Sequence, residues 1–192
     1  MMDRVESLTD CISLIRGEGG DDVDWVAVQE FYGVEFPADY KKFVSRFGGG
    51  TIDGRVGIMV PIAVDDEMVR KVYRLPESIR VDPGMSGWVD ARNLGLERDI
   101  LVWGDTDSAD LLGWVTNESD PDSWPIVVYS RVNAAWSVYE CFMSEFIFRL
   151  LVGDFGECPI SDTSLMRSTT AEFLRDREEE RLLDMGIYPW DD

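Results

Sequence analysis

"YGVEFPADYKKFVSRFGGG", residues Tyr32 to Gly50, places a strongly amphipathic segment directly before three consecutive glycines. Tyr40, Phe43, Val44 and Phe47 recur three or four apart, the spacing of one buried helix face. Pro37 suits the first turn of that helix, where its missing N–H is no loss. Gly48 stands where a left-handed C-terminal cap is expected. The stretch therefore predicts a helix that stops abruptly and turns into the first strand of a sheet.

The neighbouring patterns extend that reading. Upstream, Trp25, Val28 and Tyr32 mark a helix stopped at Gly33, preceded by the acidic link "GEGGDDVD". Val5, Leu8, Ile12 and Ile15, with Cys11 alongside, predict another helix ending near Gly17. Downstream, "TIDGRVGIMVP", "DILVWGDT", "LLGWVT", "PIVVYS" and "AWSVYEC" are short apolar runs bounded by turn residues, hence strands. The later links are too short for crossover helices, so the sheet should be mostly antiparallel. A further helix is expected within residues 65–80, and "SEFIFRLLVG" returns to helical spacing and closes at Gly153. The expected fold is α+β, with N-terminal helices packed on a central, mostly antiparallel sheet. Residues 1–154 are assigned to this domain and 155–192 to a C-terminal extension with one charged helix. That helix is expected to open at Thr169, which has capping-box spacing to Glu172.

Charge narrows the function. Asp and Glu number 38 against 18 Lys and Arg, a formal charge of -20. Such a chain is poorly suited to nucleic acid, which requires a basic face, or to an anionic membrane surface. It favours rapid capture of a basic partner by long-range steering. The N-terminus lacks a basic segment followed by an apolar run, and Cys11, Cys141 and Cys158 are widely spaced without a CxxC, so the expected location is cytoplasmic with reduced thiols.

The chain has no histidine, which removes Ser-His and Cys-His nucleophile systems and the commonest metal ligand. "DTDSAD" at Asp105, Asp107 and Asp110 departs from the EF-hand pattern: Ala109 and Asp110 stand where an acid or amide and then glycine are required. The "GGGTIDG" stretch lacks the lysine of a phosphate loop. No catalytic residue, metal site or cofactor is assigned. Between Asp99 and Ser130 lie Asp99, Asp105, Asp107, Asp110, Glu118, Asp120 and Asp122, with no lysine or arginine. Most fall in predicted turns, so several should gather at a sheet end or rim. Asp105, Asp107, Asp110, Glu118, Asp120 and Asp122, with Trp124 as an aromatic anchor, are the candidate partner-binding residues. Trp103 and Trp114 interleave the same acids.

The helix with Trp25, the Tyr32–Gly50 stretch, "ILVWGDTDSADLLGWVTNESDPDSWPIVVYS" and "WSVYECFMSEFIFRLLVG" together resemble the SUKH superfamily of Smi/Knr-like domains. The likeness runs from Trp25 to Gly153 and departs modestly: Tyr32 and Phe36 stand where leucine is usual, Val102 where an aromatic is usual, and Ala109 where glycine is common. It marks Trp25, Pro37, Tyr40, Phe43, Gly48, Gly49, Gly50, Trp103 and Gly104 as family scaffold. It implies a non-catalytic binding domain: in bacteria an immunity protein that neutralises a cognate toxin, a nuclease or another polymorphic toxin, or, as in a fungal branch, a regulatory interaction module. The partner so implied is a basic toxin protein.

Overall fold

The computed structural model describes residues 4–14, 19–64, 70–75, 99–116, 118–168 and 170–191. Along the chain run α1 (Arg4–Leu8), β1 (Ile12–Leu14), α2 (Trp25–Tyr32), α3 (Ala38–Phe47), β2 (Gly50–Ile52), β3 (Val56–Ile58), β4 (Tyr73–Arg74), β5 (Ile100–Thr106) and β6 (Leu111–Val115). A 3-10 turn at Pro121–Ser123 follows, then β7 (Ile126–Ser130), β8 (Ala135–Tyr139), α4 (Met143–Val152), β9 (Ala171–Arg175) and α5 (Asp176–Asp184). The strands form one sheet in the order β1-β9-β2-β3-β5-β6-β7-β8, with β4 also paired to β5. All pairs are antiparallel except β1 with β9. This is the expected α+β arrangement.

Strand alternation distributes apolar side chains to both faces of the sheet, because successive residues point to opposite sides. Leu101, Trp103, Leu112, Trp114, Ile126 and Val128 face the helices, where α3 contributes Tyr40, Phe43, Val44 and Phe47 and α4 contributes Phe146, Ile147, Leu150 and Leu151. Ile100, Val102, Val115, Val127, Tyr129 and Trp136 form a smaller cluster on the opposite face. Tyr40 meets Trp114 edge-on at 4.9 Å between ring centroids, and its hydroxyl donates to the Met59 carbonyl. The amphipathic face of α3 is thus the helix side of the core.

The turn after α3 is sharper than a left-handed cap. Gly48 has φ 82° and ψ -169°, positive φ with extended ψ, a region almost confined to glycine. Gly50 is required for a different reason: a Cβ there would lie 2.3 Å from the Leu174 carbonyl oxygen, so β9 approaches β2 only because this position has no side chain.

That approach overturns the division of the chain at residue 154. Residues 171–175 are not helical; they form β9, lodged between β1 and β2, with Ala171, Phe173 and Leu174 fully buried and Glu172 exposed. Phe173 packs against Phe43 and Phe47 of α3 at 6.0 and 5.9 Å. The charged helix begins only at Asp176; Thr169 lies outside the described residues. The N-terminal helix is likewise shorter than its spacing suggests, since Ile12 belongs to β1, whose partner is β9. Ile15 and Gly17 lie outside the described residues, as do 65–69 and 76–80 of the expected fourth helix; Tyr73 and Arg74 within that span are β4. Short apolar runs fit either period, and pairing with distant strands decided for extension.

A buried carboxylate fastens the same segment. Asp110, with no exposed surface, accepts hydrogen bonds from the Thr106 hydroxyl, the Arg131 amide and both the amide and hydroxyl of Ser161. It ties the β5–β6 turn and the β7–β8 turn to the chain after α4.

Two expectations follow for equilibrium unfolding in urea. Phe173→Ala should cost about 3–5 kcal/mol and Gly50→Ala about 1–3 kcal/mol; values under about 0.5 kcal/mol, typical of surface positions, would mean that the C-terminal segment is a removable appendage. Asp110→Asn presents an NH2 where only acceptors are wanted and should cost about 1.5–3 kcal/mol.

Candidate functional site

The acidic turn residues gather in two groups, at opposite ends of the sheet. The end of β5 carries Asp105 and the turn after it Asp107 and Asp110, at one end of the sheet, and the β6–β7 connection carries Glu118, Asp120 and Asp122 at the other, with the five residues of β6 between them. At about 3.3 Å per residue this separates the groups by roughly 16 Å.

The two ends differ in how their charge is used. At the first, Arg70 pairs with Asp105 at 2.7 Å and with Asp176 at 3.2 Å, while Arg55 pairs with Asp107 at 2.7 Å and Asp162 at 3.1 Å. Asp110 is buried and engaged as described, so it is corrected from partner contact to structural clamp. Gly57 makes room for the Arg70 guanidinium, since a Cβ there would overlap it. The absence of bases between Asp99 and Ser130 is therefore local to the sequence: arginines from other segments supply the counter-charge.

At the second end the carboxylates are arranged around helix and loop termini. Asp120 accepts from the Asp122 amide and the Ser123 hydroxyl. Asp122 accepts from the Ala38 amide at the start of α3, and Asp39 from the Ser144 amide at the start of α4. These contacts use the positive ends of two helices. Burial raises the Asp39 pKa above the ordinary carboxylate value, partly offset by the hydrogen bonds from Ser144, and the charge of Asp122 adds to the rise. Trp124 is buried, with its indole N–H donating to the Glu118 carbonyl, so it is corrected from exposed anchor to wall.

Asp122, Trp124 and Pro125 meet Glu140, Cys141, Phe142 and Glu145 in a notch of about 240 Å³. Among the described residues, Asp122, Glu140 and Glu145 have no ion-pair partner. Burial, with the Glu145 charge adding to it, pushes the Cys141 thiol up to about 11, so the thiol is neutral near pH 7. Glu140 and Glu145 were missed in the sequence because they lie beyond Ser130. The signal was present in the β7–β8 pairing, where Ile126 faces Tyr139 and so brings residues 140–145 beside 122–125.

The residues marked as family scaffold are placed within the packed core and its turns. Trp25 packs at 5.9 Å from Phe36 and 6.2 Å from Tyr40; Pro37 is the N-cap before α3 rather than a residue of its first turn; Tyr40, Phe43 and Trp103 are fully buried. Gly104 lies against the Gly57 carbonyl after the bulge in β5. Among the described residues there is no group of acids or cysteines placed to hold a metal ion, and no helix long and apolar enough to cross a membrane.

Comparison with known proteins agrees with this architecture. No curated protein and no solved structure matches the chain significantly. A family model described as SMI1-KNR4 cell-wall matches residues 24–147, more than half of the chain and nearly the whole stretch from α2 through the middle of α4. With the helix–glycine turn, the two-faced sheet and the closing helix in place, the chain belongs to the SMI1-KNR4 family of the SUKH superfamily.

Proposed function

We propose that this protein is an immunity protein, which binds a basic toxin domain and blocks it through the notch bounded by Asp122, Glu140 and Glu145. The observation that carries the reading is the unequal use of charge: the acids at the β5–β6 turn are ion-paired or buried, whereas those of the notch have no ion-pair partner among the described residues. Phe142, 39% exposed at the notch, and the wall of Trp124 and Pro125 offer an apolar seat for the stem of an arginine or lysine whose cationic head meets the carboxylates. A nuclease toxin carries a basic cleft for nucleic acid, and a chain of charge -20 is drawn to it by long-range attraction.

The action is binding rather than catalysis, in keeping with a chain that has no histidine. The family description, with its reference to the cell wall, favours a second reading as a regulatory interaction module. Co-expression separates the two: an immunity protein relieves killing by the toxin encoded beside it, and a regulatory module does not.

Association with that toxin should slow at least tenfold between low and high salt while dissociation changes much less. Glu140→Lys with Glu145→Lys should weaken binding by at least tenfold, and Asp107→Asn should leave it within twofold; the reverse ranking would move the interface to the β5–β6 turn. A cation beside Asp122 favours ionised Asp39, so Asp39 has a lower pKa in the complex than in the free protein. Binding then releases a proton, and affinity should fall as pH drops through the raised Asp39 range. Titration calorimetry in buffers of different ionisation enthalpy reads that proton directly, and proton uptake would contradict the assignment.

A further inference from the structure

A larger cleft, about 550 Å³, shares no residue with the acidic notch. Its apolar wall is formed by Val23, Ala27, Val60 and Pro61, and its charged wall by the junction of β9 and α5. Gly49 keeps the two apart: a Cβ there would meet Val60 at 2.7 Å and the Asp176 carboxylate at 3.1 Å. The volume lies within the range of small-ligand pockets.

The acids of the cleft are largely committed. Asp21 accepts from the Gly49 amide, Asp24 caps α2 through the Val26 and Ala27 amides, and Asp176 pairs with Arg70. Burial raises the Asp176 pKa, with Arg70 opposing the rise. Asp22 is the exposed exception.

Among the donors of the cleft, Arg70 is held by Asp105 and Asp176, whereas Arg175 and Arg177 keep spare N–H groups. Arg175 is 94% buried by its 6% exposure and lines the cleft, yet of its guanidinium only Nη1 is engaged, on the Gly19 carbonyl. Among the described residues its buried Nε has no hydrogen-bond partner and its Nη2 makes no hydrogen bond. Arg177 is exposed on the same wall, without an ion pair among the described residues. Its amide lies in the first turn of α5, where helix geometry leaves N–H groups without an internal partner and no N-cap side chain reaches them. A buried arginine with spare donors beside a helix N-terminus is an arrangement that recognises an oxyanion.

We propose that this cleft binds a carboxylate carried on an apolar body, either the chain end of a peptide or a free apolar amino acid. The carboxylate engages Arg175 and Arg177 at the start of α5, and the apolar body lies on Val23, Val60 and Pro61. The net charge of the chain does not forbid this, because at physiological salt exposed charges beyond about 8 Å are largely screened. The site is independent of the acidic notch, and its failure would leave the immunity reading untouched.

The test is an amide NMR titration of the whole chain with leucine, N-acetyl-leucine and leucinamide. Both carboxylates should produce saturable shifts at Gly49, Val60, Arg175 and Arg177, and leucinamide should produce none. Tighter binding of N-acetyl-leucine assigns a peptide chain end, and tighter binding of leucine a free amino acid. Arg177→Gln, at an exposed position, should weaken binding about tenfold, the loss of one charge-assisted contact worth about 1.4 kcal/mol. Ala63→Trp, also exposed, should block the cleft without disturbing the core. Equal binding of leucinamide, no saturable shift from either carboxylate, or indifference to both substitutions would overturn the proposal.

Discussion

The close passage of β9 over Gly50 governs how this sheet is completed. At that point two backbones come nearer than any side chain would permit, and Phe173 enters the aromatic layer under α3. Without it β2 would present an unpaired edge and β1 would lose its strand partner. Residues from both ends of the chain, outside the stretch matched to the family, therefore close one side of the family domain. The same segment carries Ser161 to the buried Asp110, so a polar clamp and an apolar strand secure it together.

What could be read from sequence followed the strength of the local pattern. The α3 face, with four apolar residues at helical spacing and glycines after it, needs no distant partner to be recognised. The hairpins β5–β6 and β7–β8 are likewise local, with apolar runs separated by short turns. By contrast, "AEFLR" carries good helix formers and becomes a strand because β1 and β2, more than a hundred residues away, offer it hydrogen bonds. Ile12 follows for the same reason. Such pairings have no trace in a single chain's periodicity.

The candidate site shows the same limit in electrostatic form. A run of acids without bases looked like one negative rim, yet β6 divides it, and Arg55 and Arg70 neutralise the half that looked most like a motif. Tryptophan behaved in the bland way: Trp103, Trp114 and Trp124 are core or wall, as large aromatics in strands usually are. The surviving acidic surface combines residues before and after the β7–β8 hairpin, a juxtaposition made by strand pairing rather than by sequence.

Under the proposed function the first acidic group is structural and the second makes the recognition contacts. Hydrogen–deuterium exchange of the protein alone and with the toxin that the proposed function requires reads this division residue by residue. The predicted result is new protection at residues 118–125 and 140–145, with the β5–β6 turn at 105–110 unchanged. Protection confined to 105–110, with 140–145 exchanging as in the free protein, would contradict it.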